Sequence, residues 1–201
     1  MGLSGLAQLP PSLRASLPPG EEPLAWEPVA AAHGQDRIGM TGRPRVVESV
    51  ELNPVRALTG GPIELETGFL DRWLGGITSS GSPGSWADRL RRAIDDDLWS
   101  TDLTSSRLAV TTHRVLLVAE GAQTLGTDPA TGRGTWDAAT RVRLELPRSA
   151  VLSARNRPRP LMAGRLVLAF DDGSTSALMC GMLSPRPARR LLAALAADRD
   201  G

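Results

Sequence analysis

Few groups in this chain could do chemistry, and the first to weigh is the glycine-rich stretch Gly75–Gly84, which leads into a helical pattern. A helix N-terminus preceded by glycines presents backbone N–H groups to an anion. A phosphate loop of the Walker type also needs a lysine to reach the phosphates. The stretch has none, and all 23 basic residues of the chain are arginine. No reaction step can therefore use a lysine amine. Gly75–Gly84 reads as a linker or tight turn, or else as the anion site of an enzyme acting on a phosphorylated small molecule.

Other candidate groups are sparse. Asp95, Asp96 and Asp97 are consecutive, and helical neighbours project about 100° apart, so the three cannot converge on one ion. His33 precedes Gly34 in a loop, and His113 falls in a two-residue turn. No Gly-x-Ser-x-Gly elbow supplies either imidazole with a nucleophile. Cys180 is the single cysteine, which excludes an internal disulfide and a zinc knuckle. Its apolar setting, Leu178-Met-Cys-Gly-Met-Leu183, predicts a buried and inert thiol. The expectation is a protein without catalytic residues, cofactor or metal.

One local charge asymmetry stands out. The segment from Arg141 to Arg165 holds seven arginines against one acid, Glu145, although the whole chain carries 23 basic and 22 acidic residues. Arg155, Arg157, Arg159 and Arg165 lie in or beside the proline-containing stretch Asn156-Arg-Pro-Arg-Pro160, whose prolines predict a break in strand pairing. These four arginines form the candidate binding site. Its functional readings are a contact surface for an acidic protein or for anionic lipid head groups. The alternative is a solvated loop that protects a sheet edge. Without aromatic residues between the arginines, nucleic acid is not expected as a partner.

The elements that must position these residues follow from pattern. Residues 1–23 are a Pro/Gly-rich lead-in with a short helical turn near Ser12 to Leu17. Residues 24–197 read as one domain, interrupted at 53–104 by an insertion. Leu24 to Ala32 predicts a first strand in which Pro28 marks an edge or bulge, and Val46 to Leu52 a second. Within the insertion, Ser85 and Asp88 form a capping-box arrangement. Trp86, Leu90, Ile94 and Leu98 then repeat every four residues, which predicts a helix over about 86–97 that frays at the three aspartates. Arg107 to Thr111 and Arg114 to Ala119 are strands about the turn Thr112-His113, and Glu120 to Thr140 reads as a long loop. Val142, Leu144 and Leu146 alternate inward against Arg141, Arg143 and Glu145. Val151 to Ala154 is a short strand. Arg165 to Phe170 and Thr175 to Cys180 flank the hairpin signal Asp171-Asp-Gly-Ser174. Ser184 caps a last helix with Pro185 in its first position. Ala188, Leu191, Leu192, Leu195 and Ala196 face inward there, and Arg186, Arg189 and Arg190 outward.

Three segments together resemble the bacterial pleckstrin-homology-like (PH-like) and GRAM-like domains. They are Leu108-Ala-Val-Thr-Thr-His-Arg-Val-Leu-Leu-Val118, Leu144-Glu-Leu-Pro-Arg-Ser-Ala-Val151 and Gly164-Arg-Leu-Val-Leu-Ala-Phe-Asp-Asp-Gly-Ser174. Leu17-Pro-Pro-Gly-Glu-Glu-Pro-Leu-Ala25 is similar to the segment entering that family's first strand. The resemblance covers residues 17–32 and 106–197. It implies an α+β fold: an antiparallel β-barrel or sandwich of about seven strands capped by a C-terminal amphipathic helix, here with a helical insertion. It also implies a non-catalytic binding or scaffolding module, with protein interaction or regulation as the first reading and peripheral membrane binding through Arg155–Arg165 as the second. The N-terminus lacks a basic region and a long apolar core, and no stretch approaches membrane-spanning length, so the expected location is cytoplasmic.

Overall fold

The computed structural model describes residues 9–32, 34–39, 76–98, 105–127, 134–160 and 162–197. His33, the strand expected at Val46 to Leu52, residues 53–75 with Gly75, and residues 99–104 lie outside the described residues. Among those described, ten strands and three helices make an α+β fold of two sheets, and the strands do not close into a barrel.

The first sheet has the order β1 (Pro23–Pro28), β5 (Ser105–Thr111), β6 (Arg114–Thr127), β7 (Gly134–Pro147), all antiparallel. The second has the order β3 (Gln35–Ile38), β4 (Ile77–Gly81), β10 (Thr175–Met179), β9 (Arg165–Phe170), β8 (Val151–Asn156), and β2 (Ala30–Ala31) also pairs with β10. One pair, β3 with β4, is parallel, so the expected all-antiparallel arrangement does not hold. The chain changes sheets three times, one of them between β4 and β5. At Val29, whose N–H donates to Ser106 O, it passes from β1 to β2. At the 3₁₀ turn Arg148–Ala150 it passes from β7 to β8.

The two inner faces share one core. Ala25, Leu108, Val110, Val115, Leu117, Leu144 and Leu146 of the first sheet meet Val151, Leu166, Leu168, Phe170 and Leu178 of the second. Helix α2 (Trp86–Leu98) inserts Ala87, Leu90 and Ile94 into this core, and helix α3 (Arg186–Ala196) inserts Ala188, Leu191, Ala194 and Leu195. Residues 76–98 of the expected insertion thus supply both a strand and a core helix. On its outer face the first sheet buries Trp26, Ala109, Leu116 and Val118 under Leu9 and Leu13, the latter on helix α1 (Pro11–Ser16).

Local chemistry explains the element ends. Asp88 N–H donates to Ser85 Oγ, as the capping box expects, but the Asp88 carboxylate accepts from Gly84 N–H and not from Ser85 N–H, which donates to Ser82 O. Helix α2 runs through the three aspartates to Leu98, and Arg91 holds Asp95 at 2.7 Å within it. The Asp171 to Ser174 turn closes with Gly173 at φ +77°, Phe170 N–H donating to Ser174 O and Gly173 N–H to Phe170 O, a type I turn with a left-handed glycine. Ser184 Oγ accepts from Arg186 N–H at the start of α3.

Several expectations fail for identifiable reasons. Glu120 to Thr140 is not a long loop: β6 and β7 continue as a paired ribbon from Gln123↔Ala138 to Thr127↔Gly134. Backbone pairing carries this ribbon, and its sequence has no apolar alternation to announce it. Val142 is 43% exposed because Leu117 pairs with Leu144 and Val118 with Val142, leaving Arg143 as an extra residue that resets the alternation. Ala194 replaces Ala196 on the buried stripe of α3. Arg190 does not face out: it folds back on the buried Glu27 carboxylate of β1, to which its Nη2 donates at 2.9 Å.

Candidate functional site

Polar residues at the β5–β6 hairpin hold the fold together. Arg114 Nε donates to both Glu21 carboxylate oxygens at 3.0 and 3.1 Å, and its Nη1 donates to Glu145 at 2.7 Å. Thr111 Oγ1 donates to Glu21 at 2.6 Å and accepts from Arg114 N–H at 2.8 Å. The Glu21 and Glu145 carboxylates raise the Arg114 pKa. Burial alone pushes Glu21 up, but the bonds from Arg114 and Thr111 outweigh it and hold Glu21 below its ordinary value. This cluster ties the entry of β1 to the β5–β6 turn. His113 is exposed at that turn, with Nδ1 2.9 Å from Thr112 Oγ1, as its sequence position suggests.

The glycine-rich segment has a different place from the one expected. Ile77–Gly81 is strand β4 and not a loop. At the start of α2 the backbone donors are already engaged. Trp86 N–H donates to Asp172 Oδ2 at 2.7 Å, Ala87 N–H to Ser174 Oγ at 3.2 Å, Asp88 N–H to Ser85 Oγ, and Arg89 N–H to Ser85 O. The Asp-Asp-Gly-Ser turn of the second sheet thereby caps a helix from another part of the chain. No amide of that first turn is left to cradle a phosphate.

The four candidate arginines come together on one face. Cross-strand register puts Arg165 opposite Met179, and Arg155 opposite Val167, on the outer face of the second sheet. The strand period of two adds Arg157 and Arg159 to the side of Arg155. Strand β8 ends at Asn156, where the break is expected, but backbone bonds continue beyond it. Arg157 N–H donates to Arg165 O at 2.8 Å, and Arg159 and Met162 exchange both backbone bonds. Pairing survives because Pro158 and Pro160 alternate with these arginines, so the missing N–H groups fall on the side away from β9.

This hairpin is fixed in position. Met162 buries against Ala32 and Ala177, with Val167 and Met179 beside them. Gly164 N–H donates to Gly181 O, and Ala163 N–H to Met182 O, both at 2.9 Å. The loop thus held alongside exposes Met182 and Leu183, the latter 88% exposed. Arg159 reaches over Gly76, where a Cβ would sit 3.1 Å from its Nη2.

The electrostatics separate these arginines from others in the molecule. Arg91, Arg92, Arg107, Arg114 and Arg190 each meet a carboxylate. Arg155, Arg157, Arg159 and Arg165 meet none among the described residues. Arg155, Arg157 and Arg159 are exposed, whereas Arg165 is only 4% exposed. Its Nη2 donates to Ile77 O at 2.5 Å, and its Nε has no acceptor among the described residues. Burial first, and then the charges of Arg159 and Arg157, push the Arg165 pKa down. Sequence reasoning named all four residues but missed Met162, Gly76 and Ile77, which anchor and abut them. The Arg-Pro-Arg-Pro alternation was the available signal for continued pairing.

Cys180 is buried as expected, and burial, with the nearby Glu27 carboxylate, pushes its thiol up to about 12. Among the described residues no group of three or more His, Cys, Asp or Glu could hold a metal ion, and no helix is long and apolar enough to cross a membrane. Fold and face together define a two-sheet α+β protein with an arginine-lined outer sheet surface. Comparison with family models, with curated proteins and with solved structures finds no match.

Proposed function

We propose that this protein is a non-catalytic binding module of PH-like architecture that engages an acidic protein segment through the outer face of its second sheet. One observation carries the reading: four arginines share that face without a carboxylate among the described residues, on a hairpin anchored by Met162. A fixed hairpin loses little conformational freedom on binding, which favours a specific contact over a diffuse one. Exposed arginines beside the exposed Met182 and Leu183 match the composition of protein contact surfaces, where Arg and Met are enriched.

A second reading, peripheral attachment to anionic membranes, draws on the same loop: Leu183 is an apolar side chain able to enter a head-group layer beside basic residues. The deciding experiment compares the wild type with Arg155/Arg157/Arg159→Ala. It measures anisotropy of a fluorescent glutamate-rich peptide and co-sedimentation with vesicles containing phosphatidylserine. The protein reading expects peptide binding that the triple variant loses, with both proteins left in the supernatant. Sedimentation of the wild type alone, without peptide binding, replaces it with the membrane reading. Absence of both defeats the assignment of this face.

A further inference from the structure

Among the four arginines, Arg165 poses a separate physical problem. A guanidinium removed from water is ordinarily matched by a carboxylate, because an uncompensated buried charge is strongly unfavourable. Arg165 is buried, sits opposite Met179, and satisfies one donor on Ile77 O, while Nε has no acceptor among the described residues. Holding Ile77 O is a task a neutral donor could perform without importing a charge. A purely structural role therefore does not explain why a permanent cation occupies this position.

Its surroundings suggest what does. Arg157 lies directly across the hairpin, with its N–H on Arg165 O. Arg159 lies over Gly76, next to the Ile77 carbonyl that Arg165 holds. The exposed guanidinium groups offer forked donors suited to a carboxylate or phosphate group. A buried charge beneath them acts across protein and not across water, so its field is weakly screened by salt.

We propose that this face holds a discrete oxyanion site, in which Arg157 and Arg159 supply the exposed donors and Arg165 supplies an unscreened positive charge from below. The site rests on the reading of this face as the contact surface, and it names what that surface recognises: one oxyanion, presented by an acidic side chain or as free phosphate. Arg165 is a positioning residue here, acting through the field it adds to the other two.

The test uses the full chain as wild type, Arg165→Met, Arg165→Lys and Arg159→Ala. Melting temperature is read in chloride and in inorganic phosphate at matched ionic strength, and affinity with the glutamate-rich peptide. The wild type is expected to melt higher in phosphate than in chloride. Arg165→Met should lose that increment and weaken the peptide about tenfold or more, the scale of removing one weakly screened charge near the ligand. Arg165→Lys, which keeps the charge but not the fork, should retain the increment, an outcome that a structural role for the guanidinium does not produce. If Arg165→Met fails to fold, loss of the increment in the exposed Arg159→Ala variant supports the same site, and its retention there overturns it. An equal increment in wild type and Arg165→Met, or none in the wild type, overturns the proposal. Peptide binding lost in the triple alanine variant but intact in Arg165→Met leaves the contact surface standing and removes the Arg165 site. A phosphate increment without peptide binding does the reverse.

Discussion

Gly81→Ala tests whether the glycine-rich segment is a packed strand. In β4 a Cβ at position 81 would lie 2.6 Å from Ser174 Cβ and 2.8 Å from Ser85 Oγ, with the backbone at φ +148°. Neither neighbour is the far end of a flexible side chain, and both are engaged at the cap of α2. An L residue in such a backbone region costs about 1–3 kcal/mol, and overpacking about 1–3 kcal/mol more. The sum, about 4 kcal/mol, is a large share of the roughly 5–15 kcal/mol that holds a typical domain together. At roughly 2–4 °C per kcal/mol for a chain of this size, the melting temperature should fall by about 12 °C in calorimetry. Gly84→Ala is the control. Its φ is +83° and nothing lies within 4 Å of the added Cβ, so only backbone strain of about 1–2 kcal/mol remains. A linker or open loop predicts small and similar effects at both positions. Equal shifts for the two variants, or a Gly81→Ala protein melting within a degree or two of wild type, would refute the packing argument.

Other outcomes follow from the same geometry. Leu90→Ala, at a fully buried position of α2, should lower stability by about 2–5 kcal/mol in urea titration, and a change under 1 kcal/mol would place that helix outside the core. Asp88 and Asp172, like Glu21, sit below their ordinary values of 3.8, 3.8 and 4.5. In the first two, burial acts upward and is outweighed by hydrogen bonds, from Gly84, Arg92 and Arg91 for Asp88 and from Ser174 and Trp86 for Asp172. The folded state therefore binds fewer protons than the unfolded chain below those ordinary values, and this contribution is complete above them and lost as pH falls through the depressed ones. Melting temperature should be flat from neutral pH to about 5 and drop steeply below about 4, while a protein equally stable at pH 3 would contradict the assignment. Cys180, buried with its thiol pushed up to about 12, should resist a disulfide reagent at pH 8 until the chain is unfolded in guanidinium. Rapid labelling of the native protein would show the site to be open.

Apolar periodicity and turn chemistry made much of this fold legible. The runs about Thr112-His113, the Asp-Asp-Gly-Ser turn and the stripe of α3 all depend on contacts close in sequence, and all appear in place save for Ala194 in the position expected of Ala196. Elements defined by distant polar pairing were not legible. Ile77-Thr-Ser-Ser-Gly81 reads as a polar turn, yet Ser79 is buried and Ser80 Oγ lies 2.8 Å from Thr175 Oγ1 on β10. Hydroxyls, not hydrocarbon, seat that strand. The shifted register at Arg143 reversed Val142, because one extra residue changes which face every residue before it occupies. At the candidate site the composition of the Arg155–Arg165 stretch gave all four residues. It could not show that one of them is buried, since arginine reads as a surface residue unless its surroundings are known. Arg190 misled in the same way, its partner Glu27 lying far away in the chain.

Pro158 and Pro160 have a consequence for how any partner can approach. In the second sheet β8 is the last strand among the described residues. Beyond Asn156 the outward-directed backbone positions are the two prolines, which can accept a hydrogen bond but never donate one. A foreign strand laid along this rim would find half the ladder missing, so the tip resists templated stacking of one copy on another. Contact there must be made by side chains, and a ligand is selected by its charge and not by its capacity to extend a sheet.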